Sequence, residues 1–428
     1  MALDQICVVG GKRLQGEVSV SGSKNATLPI MTAALLAEKT VTLTNTPNLQ
    51  DVRTMGAVLQ ILGAKVKMFK EKITINPAGF ARNEIPYDVV RKMRASVYVL
   101  GPMLARLKHA RVSLPGGCAI GPRPIDLHIK GLQALGADLH LRHGYIEADA
   151  PNGLTGGEMW LEGPSGSSVG ATCNVIMAAV LAKGTTVIHA AAREPEVIGL
   201  AEFLNALGAH IDGAGSPTIT VEGVDRLGGA TFRVPPDRIE AGTYMLAGAI
   251  TDGDVTVREC TPAHFEATTE KLVEIGAQVD VGADFVRVRG GNLGQPVNIR
   301  TLPYPGFPTD MQAQFTSLLS IIPGVSTVTE TIYPDRFIHV AELNRMGASI
   351  AVHAATATIT GVKNLSAAPV MASDLRASAA LVLAGLVAKG ETQVLRVYHI
   401  DRGYVSIEKK LSALGATIER VPAEPTQH

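Results

Sequence analysis

The stretch FEATTEKLVEIGAQVDVGADFVRV, Phe265 to Val288, changes its period in the middle. Phe265, Ala267, Leu272, Val273 and Ile275 recur at helical spacing on one broad apolar face. Gly276 then suits the left-handed residue that closes a helix. QVDVGADFVRV follows with the alternation of a strand. A helix, a glycine stop and a strand are predicted.

The phrase at its centre returns along the chain as ILGAKV, ALGADL, ALGAHI, EIGAQV, RMGASI and ALGATI. The glycines are Gly63, Gly136, Gly208, Gly276, Gly347 and Gly415, separated by 73, 72, 68, 71 and 68 residues. Five near-equal gaps argue against coincidence. A period of roughly seventy is longer than that of solenoid repeats, so each copy predicts a small α/β layer of its own. A second pattern accompanies it in MTAALLAEKTVTLTN, NVIMAAVLAKGTTVIHAA, TYMLAGAITDGDVTVRE and SAALVLAGLVAKGETQVLRV: an Ala- and Leu-rich helix, a turn, then a β-branched strand. Helices with so little charge are expected to be buried on most sides. Six units divide most simply into two domains of three, with VEGVDRLGGATFRVPP as the crossing point.

At 428 residues the chain can hold more than one core. With 46% hydrophobic and 18% charged residues it reads as an ordered globular protein. The 39 Lys and Arg balance the 39 Asp and Glu, so no general affinity for nucleic acid or membrane is implied, and an anion site has to be a local cluster. MALDQICVVGGKRLQG lacks a signal-peptide pattern, and ASAALVLAGLVA is too short to span a bilayer. A soluble cytoplasmic protein is expected. Cys7, Cys118, Cys173 and Cys260 have no metal-ligand spacing and are too few for a disulfide framework, so they are expected to be thiols.

Several residues carry chemistry on their own. Cys118 lies in SLPGGCAIGPRPIDLH, a Gly- and Pro-rich loop in which Arg123 would favour the thiolate; an isolated cysteine is otherwise a small buried apolar residue. Lys24 and Asn25 stand in GSKNA before a helix, where free backbone amides suit an anion, although Ser23 or Asn25 would serve equally as a cap. Arg123, Arg336, Arg376 and Arg402 offer planar forks for carboxylate or phosphate if they converge. Asp310, before MQAQFTSLLS, has the ordinary alternative of a helix cap.

Taken together, SGSKNATLP, RKMRAS, LPGGCAIGPRPIDLH, SSVGAT, AAREPEV, FPTDMQAQFT, DLRASAALVLAG and YHIDRGY closely resemble the UDP-N-acetylglucosamine enolpyruvyl transferases of peptidoglycan synthesis. The match runs in order along nearly the whole chain. It implies an α/β protein of two domains, an inverted α/β barrel arrangement built from six repeated units. One domain would span 22–232 and the other 1–21 with 233–428, with the active site in the cleft between them. The implied reaction moves enolpyruvyl from phosphoenolpyruvate to the 3′-hydroxyl of UDP-N-acetylglucosamine and releases phosphate, by addition and elimination through a tetrahedral ketal phosphate. It would be the first committed step of peptidoglycan precursor synthesis, needing neither metal nor organic cofactor.

The resemblance also implies roles. Cys118 would donate a proton, form a covalent adduct and be alkylated by fosfomycin. Asp310 would act at the sugar 3′-hydroxyl as base or relay. Lys24 and Arg123 would face phosphate, Asn25 the reacting substrates, and Arg336, Arg376 and Arg402 the carboxylate or phosphate, with Asp374 as a second carboxylate nearby. Arg123, Pro124, Ile125, Asp126 and Leu127 match the uridine-holding segment; Arg94, Ser168, Val169, Gly170 and Ile332 match further sugar-nucleotide contacts. Glu194 and Glu196 form the REPE signature, and Tyr98 takes an often aromatic position. Two departures stand out: LEGPSGSSVGAT is longer than the family pattern and lacks its lysine, and YPDRF replaces ENRF. Two rival functions share much of this pattern. One is 5-enolpyruvylshikimate-3-phosphate synthase-like chemistry, against which the cysteine loop argues. The other is a non-catalytic, UDP-sugar-binding regulatory paralogue, against which Cys118, Asp310, Lys24 and the arginines argue.

Overall fold

The computed structural model describes residues 4–90, 93–114 and 125–422. Within them the chain forms two compact units. One, here the mid-chain unit, holds the described residues from Gly22 to Pro235; the other, the two-segment unit, holds the chain up to Ser21 and again from Pro236.

Among the described residues there are six four-stranded sheets, three in each unit, and each follows one plan. Strand, helix, strand, helix and a closing hairpin succeed one another, as in Asn298–Arg300, Gln312–Leu319, Val325–Thr329, His339–Arg345, Ser349–His353 and Thr356–Thr360. The first two strands pair parallel, and the last strand lies antiparallel between the second and third. Each helix before the hairpin ends at a repeated glycine, with φ of 107° at Gly63, 87° at Gly136, 104° at Gly208, 113° at Gly276, 87° at Gly347 and 97° at Gly415. That conformation has little steric cost only without a β-carbon.

Three strands are borrowed across the sequence. Asp4–Val9 pairs with Glu391–Leu395 and Thr417–Pro422, and so completes the sixth layer with the start of the chain. Gln15–Ser19 pairs parallel with Asp254–Arg258, and Thr231–Arg233 with Val41–Thr44, so each opens a layer whose remaining strands come from elsewhere in the chain.

The weakly charged helices are interior, as their composition predicts. In the two-segment unit Arg238–Ile250, Gln312–Leu319 and Leu375–Gly385 pack on one another, almost wholly buried. In the mid-chain unit Leu100–Leu107 and Val169–Ala179 pack together in the same way. Small residues let helix and sheet approach: a β-carbon on Gly385 would meet Val8 at 3.2 Å and Thr392 at 3.3 Å. Burial of each Leu, Ile or Met side chain here contributes roughly 1.5–3 kcal/mol.

Two local expectations are corrected. Val273 is 53% exposed, because Phe265, Thr268, Leu272 and Ile275 form the buried stripe and Val273 falls outside it. QVDVGADFVRV is a hairpin, Gln278–Val281 with Phe285–Arg289, since Gly282 to Asp284 reverse the chain. Cys7, Cys173 and Cys260 are buried free thiols. Among the described residues no helix is long and apolar enough to cross a membrane.

Candidate active site

In the two-segment unit, chemistry gathers where the buried helices begin. Asp310 lies in the turn Thr309–Met311 that leads into Gln312–Leu319. It is not that helix's side-chain cap. Its Oδ1 accepts from Arg336 Nη1 at 2.8 Å and its Oδ2 from Arg376 Nη2 at 3.1 Å. The arginine side chains are 4% and 1% exposed, whereas that of Asp310 is 26% exposed. One partly open carboxylate is thus held between two buried cations. Burial works against the charge on Arg336, but Asp310 and Asp374 outweigh it and raise the guanidinium above its ordinary value. Arg376 behaves likewise: burial is opposed by Asp310, Tyr404 and Asp237, and the net shift is upward.

Arg376 lies 5.5 Å from the Tyr404 ring centroid. Its Nε and Nη1 are buried and form no hydrogen bond among the described residues. The Tyr404 hydroxyl meets Thr243 at 2.9 Å and receives Gln314 Nε2 at 3.2 Å, and Gln314 also donates to the Asp310 carbonyl at 2.9 Å. This network fixes the wall behind the carboxylate. Asp374 caps Leu375–Gly385, accepting from the backbone N–H of Arg376 at 2.8 Å and Ala377 at 3.1 Å. Its carboxylate is therefore committed first to the helix start. Arg402 ends the turn Val397–Arg402, half-buried; burial, and after it the Arg402 charge, lower the pKa of His399. Ile332 is half-buried on the turn that leads to Arg336, with its N–H bound by Glu330.

The mid-chain unit holds the rest. Ser23 Oγ caps Lys24–Ala33, receiving Ala26 N–H at 3.2 Å, so serine rather than Asn25 is the cap. Lys24 is the first residue of that helix and is buried, its Nζ 3.6 Å from Asp51 Oδ2. Asn25 is half-buried beside it. Ser168 likewise caps Val169–Ala179, with Val169 and Gly170 half-buried in its first turn. The lengthened segment before it folds into a small hairpin, Glu162–Gly163 with Gly166–Ser167. Ile125 precedes Asp126–Ala134, Asp126 is exposed at the start of that helix and Leu127 is half-buried. Glu194 precedes Pro195–Ala206, and Glu196 is buried in its first turn. Tyr98 is half-buried in the turn Arg94–Val99. Cys118, Arg123 and Pro124, and the side chain of Arg94, lie outside the described residues.

The repeat explains this distribution. Asn25, Gly170 and Arg376 each stand two residues beyond a capping side chain, and Asp310 stands two beyond Pro308, which opens its turn. Four layers thus carry a candidate residue at the same position in the first helical turn. Asp237 caps Arg238–Ile250 similarly, but Ile239 at the matching place is buried and apolar. Two residues escaped sequence reasoning. Glu330 is a buried acid directly after an alternating strand, and His128 is a buried imidazole just after the uridine-segment match. A strand-end glutamate and a helical histidine both read as surface residues.

Fold and site define an α/β protein made from duplicated layers, with buried cations at the starts of its interior helices and beside Asp310. Residues 8–411 match the family described as EPSP synthase (3-phosphoshikimate 1-carboxyvinyltransferase). The chain belongs to that family, the enolpyruvyl transferases. It is 53% identical to a protein of Desulfosudis oleivorans and 54% identical to one of Desulfatibacillum aliphaticivorans, each aligned over 98% of this chain and 100% of the relative, and each named UDP-N-acetylglucosamine 1-carboxyvinyltransferase. Among solved structures it resembles the enolpyruvyl transferase NikO from Streptomyces tendae, with TM-score 0.88 and 25% identity over 99% of this chain and 100% of that one. An EPSP synthase from Acinetobacter baumannii, at TM-score 0.73 and 18% identity over 98% of this chain and 100% of that one, shares the fold.

Proposed function

We propose that this enzyme transfers the enolpyruvyl group of phosphoenolpyruvate to the 3′-hydroxyl of UDP-N-acetylglucosamine, a cytoplasmic step of peptidoglycan precursor synthesis. The carrying observation is the Asp310 carboxylate, partly open and fixed between buried Arg336 and Arg376. Identity above half over the full length of relatives named for this sugar nucleotide favours it over shikimate 3-phosphate as acceptor.

In this reading the sugar oxygen attacks C2 of phosphoenolpyruvate as Asp310 accepts the hydroxyl proton. Cys118 delivers a proton to C3, giving the tetrahedral ketal phosphate. The C2–O bond to phosphate then breaks, C3 loses a proton, and the double bond re-forms. Lys24, Arg123, Arg336, Arg376 and Arg402 hold the phosphate and carboxylate, since guanidinium forks match both anions. Asn25 contacts the reacting groups, and Asp374 keeps Arg376 at the helix start. Arg94, residues 124–127, Ser168–Gly170 and Ile332 take the sugar nucleotide. The domains of this reading are 22–232 and 1–21 with 233–428. Fosfomycin would alkylate Cys118.

The test is phosphate release from phosphoenolpyruvate with each candidate acceptor. Release that depends on UDP-N-acetylglucosamine and not on shikimate 3-phosphate supports the reading. The reverse preference would replace it with the shikimate reaction, and ligand binding without release would favour a regulatory paralogue.

A further inference from the structure

Glu330 follows the strand Val325–Thr329, where a glutamate would ordinarily be solvated, yet it is 1% exposed. A buried carboxylate is costly unless donors surround it. Here Oε1 accepts from the Thr301 hydroxyl at 2.7 Å and from the backbone N–H of Ile332 and Tyr333 at 2.9 and 3.0 Å, while Oε2 accepts from the Thr309 hydroxyl at 2.8 Å.

The bond to Thr309 sets a direction. A hydroxyl has one proton, and with it turned to Glu330 the oxygen can only accept from its other neighbour. That neighbour is Arg336 Nη1 at 3.0 Å, which also reaches Asp310 Oδ1 at 2.8 Å. Thr309 therefore cannot donate to Asp310, and Arg336 is steered by two acceptors at once. Oε1 of Glu330 meanwhile holds the turn that carries Ile332.

We propose that Glu330 is a positioning residue for the transfer: through the Thr309 hydroxyl it holds Arg336 against Asp310, and through two backbone N–H groups it holds the Ile332 turn. The inference rests on the enolpyruvyl transfer described above. Glu330 touches no reacting atom and acts through residues that do.

Glu330→Gln separates the two tasks. Its amide oxygen can keep the Ile332 and Tyr333 N–H groups, while its NH2 faces Thr309 and reverses that hydroxyl. Thr309→Val removes the hydroxyl and leaves Glu330 in place. Each is expected to lower kcat on the order of 10–100-fold, as a small misplacement of reacting groups does, with both KM values within about threefold. Because the two act on one bond, the double variant should be no slower than the worse single. Losses that multiply, unchanged kcat in Thr309→Val, or a rise in KM alone would overturn the proposal. If Glu330→Gln fails to fold, Thr309→Val alone decides by its kcat and KM. Wild-type turnover in the same assay separates the failures: an inactive wild type overturns the proposed reaction and this role with it, whereas active variants beside an active wild type overturn the role alone.

Discussion

Gly170 runs so close to His128 that a β-carbon on it would stand 2.9 Å from the imidazole Nε2. The first turn of Val169–Ala179 and the helix carrying Asp126 and Leu127 are therefore fitted to each other at a point where no side chain can intervene. Gly170→Ala is expected to push them apart, with a stability loss of about 1–3 kcal/mol from overpacking. A raised KM for the sugar nucleotide and a nearly unchanged KM for phosphoenolpyruvate should accompany it. Thermal unfolding and initial rates check this, and a variant with wild-type values of all three would show that the fit is not needed.

His128 is expected to stay neutral in the folded protein. Asn174 Oδ1 accepts from Gly101 N–H at 2.8 Å and its Nδ2 donates to the Val97 carbonyl at 2.9 Å, which fixes the amide. Its NH2 also faces His128 Nδ1 at 3.0 Å, so that nitrogen accepts and the proton sits on Nε2. Burial lowers the pKa of His128 from 6.5 to about 4, against a small opposing field from Asp126, and lowers that of His339 to about 4. Between pH 6.5 and 4 the unfolded chain binds these protons and the folded chain does not. Stability is thus complete above pH 6.5 and falls as the pH drops towards 4, by up to about 1.4 kcal/mol per pH unit for each histidine. Imidazole proton resonances should show no titration of either residue from pH 8 to 5; a midpoint near 6.5 would contradict the burial argument.

The pairing around Asp310 makes a different demand. Arg376→Lys replaces a planar fork by a point charge that cannot satisfy Asp310 and lie against Tyr404 together. A fall in kcat/KM of about 100-fold is expected, equivalent to about 3 kcal/mol of transition-state binding. Asp310→Asn removes the proton acceptor and leaves two buried guanidinium groups facing each other, so turnover should be lost and stability should drop by about 3–5 kcal/mol. Turnover retained within tenfold in Asp310→Asn would remove it from the chemistry.

Asp374 is predicted to matter for stability through its cap. Asp374→Ala should cost roughly 1–2 kcal/mol, and Asp374→Asn should recover most of that, because an amide oxygen caps as well as a carboxylate. Equal loss in both variants, read from unfolding midpoints, would mean that charge rather than capping holds the helix start.

Much of this protein was readable from its letters, for physical reasons. The six glycines were visible because a helix that must stop in a left-handed residue favours glycine each time, and the buried helices because charge is excluded from their sides. The resemblance puts the start of the chain with the C-terminal half but does not say which layer takes Asp4–Val9: a six-residue strand, DQICVV, fits several sheets, and only pairing decides among them. The hairpin at Gly282 reads as one strand in the sequence because each arm alternates and only three residues separate them. At the site, Asp310 and Arg376 could be singled out, but Asp310 also read as a helix cap and each arginine as a solvated one. Contact between residues 66 positions apart separates those readings, and sequence spacing does not encode it. Glu330 reads as a surface acid for the same reason: the two hydroxyls that bury it, on Thr301 and Thr309, lie more than twenty residues away along the chain.

The most direct test of the central claim is the mass spectrum of UDP-N-acetylglucosamine after incubation with phosphoenolpyruvate and the protein. The account predicts a sugar nucleotide heavier by one enolpyruvyl group, attached at the 3′-oxygen, with one phosphate released per molecule formed. Unmodified sugar nucleotide, with phosphoenolpyruvate either intact or merely hydrolysed to pyruvate, would contradict it.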